Sequence, residues 1–157
     1  MTYRYLIIFT IILVLFPAGC SYRFVDPFPA YEYALVSVRN FTAEAGLAVL
    51  LEEEMRKLGG FKEHSASRLS VTVTGFTESV DSISSSGFPV RQKLTIDVAW
   101  KVEGKQSAQA VFGSETASLI YPWSTNLSTL DWNRSAAVRL LTETAASRIL
   151  ADLGEQP

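Results

Sequence analysis

Residues 34–154 predict an α+β fold, a two-layer sandwich with two helices packed on one face of a roughly four-stranded mixed sheet. The order is β-α-β-β-β-α. Three features carry that prediction. From Phe88 to Val102 apolar residues alternate with polar ones, the period-two mark of a strand with one face on a core. Two other stretches repeat leucine, alanine and valine at spacings of three and four, the period of a helix stripe. Glycines follow these stretches where helices stop, at Gly59-Gly60 and Gly154.

Taken in order, Ala34–Phe41 (ALVSVRNF) reads as the first strand. Leu35, Val36 and Val38 suggest burial on both faces, as in an interior strand. Thr42 is the expected N-cap of the first helix, and Glu44 falls where the helix dipole favours an acid. Leu47, Leu50, Leu51, Met55 and Leu58 form its stripe. Glu54 lies inside that stripe, so it is expected at the helix rim, reaching water or a basic neighbour. Leu69–Val80 is the second strand. Its apolar phase flips after Gly75, which predicts a β-bulge there. Residues 81–87 (DSISSSG) form a loop tip. The third strand, 88–102, turns at Glu103-Gly104-Lys105 into the fourth, Ala108–Tyr121, where Gly113 is expected to reset the phase again. The second helix is expected to start near Ser128, with Asp131 completing an acidic capping box. Its stripe is Val138, Leu141, Ala145, Ile149 and Leu153. Leu140 and Leu150 fall outside it and read as surface residues. Periodicity leaves the strand order open.

The first twenty residues, MTYRYLIIFTIILVLFPAGC, say where such a domain resides. Arg4 gives a positive start, and Tyr5 to Phe16 give an apolar run of signal-peptide length, short of the ~20 residues of a bilayer span. The run closes on Pro17-Ala18-Gly19-Cys20, and Cys20 is the only cysteine. This resembles a bacterial lipobox, with Cys20 as the lipid-attachment residue, although Pro17 stands where leucine is usual. Ser21, in place of Asp, favours the outer membrane by resemblance to the sorting rule of enteric bacteria. The expected division is a cleaved signal peptide at 1–19, a lipidated tether at 20–33, one domain at 34–154 and a tail at 155–157. Cleavage would leave 138 of 157 residues, enough for one core.

Composition narrows the function. Loss of Arg4 takes the net charge from −2 to −3, which gives no electrostatic reason for nucleic-acid binding. One cysteine excludes an intrachain disulfide. His64 is the only histidine, in the polar connector FKEHSAS, and no metal-spaced, phosphate-loop or nucleophile-elbow motif occurs. Glu52, Glu53 and Glu54 read as a helix run and not as an acid/base pair. The expectation is a protein that is not an enzyme and uses no cofactor or metal.

Residues along the whole domain suggest a family. Cys20 followed by Ser-Tyr-Arg-Phe, the strand end Val38-Arg39-Asn40-Phe41-Thr42 and the leucine helix closing on Leu58-Gly59-Gly60 form one part of the likeness. The long strand-loop-strand from Leu69 to Val102, the strand end Tyr121-Pro122 and a C-terminal helix complete it. Together they resemble the lipopolysaccharide-assembly lipoproteins of the LptE family. That resemblance implies an outer-membrane lipoprotein on the periplasmic side. It would plug, and help assemble, an LptD-like β-barrel that delivers lipopolysaccharide to the outer leaflet. A long polar strand face suits a polar barrel interior. The family is associated with lipopolysaccharide binding through basic loop residues. Here the tip Ser84-Ser85-Ser86-Gly87 has no cation, so Arg91 and Lys93 are the candidates for phosphate contact. Tyr121, Pro122 and Trp123 are the candidates for partner contact, because aromatics anchor interfaces. The strand opening also resembles lipoproteins that regulate a peptidoglycan synthase or form a secretion pore.

Overall fold

A computed structural model describes residues 33–104 and 110–154. Residues 1–32, which hold the expected signal peptide, Cys20 and tether, residues 105–109, with Lys105 of the expected turn, and residues 155–157 lie outside the described residues. The elements are β1 (Tyr33–Asn40), α1 (Leu47–Leu58), β2 (Ser67–Ile83), β3 (Pro89–Gly104), β4 (Val111–Pro122) and α2 (Leu127–Gly154). The predicted order β-α-β-β-β-α is the observed one. The strands lie in chain order, β1-β2-β3-β4. β1 pairs parallel to β2, and the other two pairings are antiparallel. The parallel pair needs a crossover, and α1 supplies it. Both helices pack on one face, and the apolar residues of that face and the two helix stripes form a single core.

β1 differs from its expected interior position. It is an edge strand, and the register shift between Leu35 and Ser37 throws Val36 out to 53 % exposure. Only Leu35 is fully in the core, and Val38 is half-buried. Thr42 does not cap α1 either. It closes a turn ahead of the helix: its N–H and hydroxyl both donate to Asn40 Oδ1, at 2.9 and 2.8 Å. α1 begins later, after Gly46 at φ +83°, a left-handed backbone that glycine adopts without a Cβ penalty.

The predicted bulge at Gly75 is present, as a register shift between Val73 and Gly75. No such shift occurs at Gly113, where pairing runs unbroken from Val111 to Pro122. Gly113 lies directly opposite Trp100, and a Cβ there would come within 2.2 Å of the indole. The apolar pattern of β4 skips at Gly113 because Trp100 on β3 already fills that part of the core. β3 also departs from one continuous buried face. Leu94, Ile96, Val98 and Trp100 are buried, yet Phe88 and Val90 are 70 % and 46 % exposed. The chain leaves β4 beside Val90, where Trp123 N–H donates to Val90 O at 2.9 Å. The tip of the β2–β3 hairpin thus extends past the start of the α2 cover.

α2 is capped by Asn126, not Ser128: its Oδ1 accepts the N–H groups of Ser128 (3.0 Å) and Thr129 (3.3 Å). The predicted stripe of Val138, Leu141, Ala145, Ile149 and Leu153 is buried. Leu140 is exposed as expected, but Leu150 is fully buried. The reason is that α2 has two neighbours, packing on β3 and β4 and also along α1. A Cβ at Gly59, just past α1, would lie 3.1 Å from Leu150 Cδ2. Glu44 meets Arg134 at the other end, so the two helices run side by side in the same direction.

Candidate interaction surfaces

Two clusters emerge, one polar and partly buried, one an open sheet face. The first is organised by Arg134 on α2. Its guanidinium donates to both oxygens of Glu44, at 3.0 and 2.8 Å, and to Glu78 Oε2 at 3.0 Å. It also lies over the Phe76 ring, 5.9 Å from the centroid. The Tyr121 hydroxyl donates to Glu78 Oε1 and lies 3.1 Å from Gln92 Oε1. The cluster joins the β1–α1 loop, β2, β3, β4 and α2. The bidentate bond to Arg134 holds the Glu44 carboxyl below its usual range. Burial, followed by the bond to Glu78, pushes the Tyr121 phenol well up. Arg134 is held more firmly charged, first by its bond to Glu44. None of these roles shows in the sequence pattern. The one hint is Glu78, an acid at a position where β2 has just brought Phe76 to the core side.

Tyr121 is therefore a core residue at 4 % exposure, which overturns its nomination as a contact residue. Pro122 is exposed and Trp123 half-buried. Asn133 Nδ2 donates to Pro122 O at 3.3 Å, so this corner joins β4 to α2. Glu54 takes the expected basic neighbour, with Lys57 Nζ at 3.2 Å from Oε2, but it is buried and does not stand at the helix rim. Cys20 lies outside the described residues. No described helix is long and apolar enough to cross a membrane. Among the described residues no group of three or more His, Cys, Asp or Glu side chains is placed to hold a metal ion.

The second cluster is the sheet face that no helix covers. Arg91 and Lys93 both stand at its hairpin end, two residues apart on β3. Arg91 is already engaged: its Nε lies 3.3 Å from Asp81 Oδ2 and 3.1 Å from Ser82 Oγ. Lys93 has no acid partner among the described residues. Between Lys93 and Lys101 the face is built of short side chains. Thr77, Thr95 and Ser118 align across three strands, as do Thr72, Ala99 and Ser114. Asp97 lies between the two rows, and its Oδ1 accepts the Thr116 hydroxyl at 2.6 Å. Lys101 sits over the ring of Phe112 at 5.4 Å.

No protein-family model and no curated protein sequence matches the chain. Solved structures do. Rare lipoprotein B from Shewanella oneidensis superposes with a TM-score of 0.58 at 18% identity, covering 76% of this chain and 93% of that one. A candidate lipoprotein from Caulobacter crescentus CB15 gives 0.56 at 18%, with 78% and 87% covered. A minor lipoprotein from Acinetobacter baumannii gives 0.51 at 15%, with 82% and 100% covered. The fold of this chain is the fold of these bacterial lipoproteins.

Proposed function

We propose that the chain is a lipoprotein of the LptE kind, anchored through Cys20 to the periplasmic side of the outer membrane. There it acts as plug and assembly partner of an LptD-like β-barrel in lipopolysaccharide transport. The observation that carries the reading is a conjunction: a lipobox-like segment ending in the only cysteine precedes a domain with the fold of rare lipoprotein B. A triacylated cysteine lies well past the regime of one-chain, reversible membrane binding. The domain then works by shape and hydrogen bonding, through a flat polar sheet face and a hairpin that projects past its helices. Lys93, with no acid partner among the described residues, is the open cation for an anion supplied from outside the chain. Arg91 contributes only by exchanging Asp81 for that ligand.

Purification of the full chain in mild detergent tests the partner. A large outer-membrane β-barrel is expected to come down with it. Recovery of a peptidoglycan synthase in its place would favour the other lipoprotein class. Cys20→Ala is expected to abolish acyl labelling and to release the protein from membranes, and unchanged membrane retention would sink the anchor.

A further inference from the structure

We infer that the helix-free face of the sheet is the docking surface, and that its occupant is a broad polar protein wall bearing carboxylates opposite Arg39 and Lys93. This deepens the reading above and rests on it, since that wall is assigned to the barrel partner. Lysine, glutamate and arginine are almost never fully buried, so a face dense in them is one kept in water. Here the centre is threonine and serine. Burying such short side chains costs little rotamer entropy, whereas lysine or glutamate costs up to about 2 kcal/mol each. The hydroxyls of Thr72, Thr77, Thr95, Ser114 and Ser118 bond to no other described residue, so each is free to pair across an interface. Their rows span β2 to β4, with Arg39 of β1 in register with Thr72.

Size and charge select the occupant. From the Lys101 row to the Lys93 row the three strands β2, β3 and β4 measure roughly 27 by 14 Å, and β1 widens the Lys101 end only, about 450 Å² in all. That is a large share of the ~800 Å² that one partner contributes to a standard interface. Arg39 and Lys93 have no acid partner among the described residues, Arg91 pairs with Asp81 and Lys101 with Glu103, and the Asp97 carboxylate accepts the Thr116 hydroxyl and keeps its charge, so two unpaired cations stand against one unpaired acid. The face is thus short of negative charge, although the chain as a whole is at −2. The acids gather on the helix side, as in the run Glu52-Glu53-Glu54. A second copy docked face to face would oppose two faces that each carry a surplus of unpaired cations, which costs affinity. An acid-bearing wall gains from the same charges.

The test places a photo-crosslinking amino acid in the full lipidated chain, in its own cell envelope. At Thr95 or Ser118 it is expected to trap the barrel that co-purifies with the chain. At Glu53 or Arg139, both exposed on the helix layer, the yield should be at least tenfold lower. Ser118→Arg should keep the thermal midpoint and cut co-purification about tenfold, while Arg139→Ser changes neither. Equal or greater trapping from the helix layer overturns the inference, as do crosslinks to a second copy or to lipopolysaccharide alone. If the barrel co-purifies while Thr95 and Ser118 trap nothing, only the assignment of the face fails. If no barrel co-purifies, the proposed function fails with it.

Discussion

Arg134 binds two carboxylates from segments far apart in sequence, Glu44 at the entry to α1 and Glu78 on β2. Removing it leaves both acids facing each other without a cation. Arg134→Leu should therefore lower stability in urea unfolding by about 1–3 kcal/mol, more than an exposed ion pair is worth. The pH dependence follows from the same bonds. Glu44 has a lower pKa folded than its ordinary 4.5, so the unfolded chain takes up its proton first as pH falls. Its contribution is complete above that value and lost as the solution acidifies below it. Glu44→Gln should flatten the acid limb of a plot of thermal midpoint against pH. Tyr121 has the opposite sign. Its raised pKa keeps its contribution whole below pH 10 and drains it as pH rises further, and Tyr121→Phe should remove that alkaline loss. At Gly113 sterics decide. Any Cβ meets the Trp100 ring at 2.2 Å, so Gly113→Ala should cost on the order of 2–3 kcal/mol by urea unfolding.

At the scale of elements, sequence patterns were readable wherever an element's own period set its contacts. The bulge at Gly75 and the stripe from Val138 to Leu153 are of that kind. They were unreadable where another element supplied the contact. Leu150 is off the stripe of α2 yet buried against the end of α1, and Gly113 is a gap filled by an indole from the next strand. The interior reading of β1 failed for a similar reason: Val36 is apolar, but one extra residue in the strand turns it outward. Paired substitutions on α2 check this account. Leu150→Ala should cost about 2–5 kcal/mol. Leu140→Ala, ten residues earlier and exposed, should stay within about 0.5 kcal/mol.

Across the whole molecule, the layers and their contents could be read beforehand, and the order of strands could not, since periodicity says which face is buried and not which neighbour is adjacent. The site divided in the same way. The open polar face could be foreseen from the alternation of β3, which put Arg91 and Lys93 there. The Arg134 cluster could not, because ion pairs between distant segments leave no periodic trace. One feature of the layout also bears on load. β1 is the strand nearest the N-terminus, and it is held on one side only, by seven parallel register pairs from Tyr33↔Ser67 to Asn40↔Val73. In an anchored chain gripped by a partner elsewhere, a pull from the N-terminal side enters the domain at Tyr33, and its component along the strand runs down β1. That direction strains the β1–β2 ladder in shear, all pairs together, instead of peeling them one at a time. Under a pull along that axis the edge strand, which looks weakest in the sheet, yields only when all seven pairs give way together.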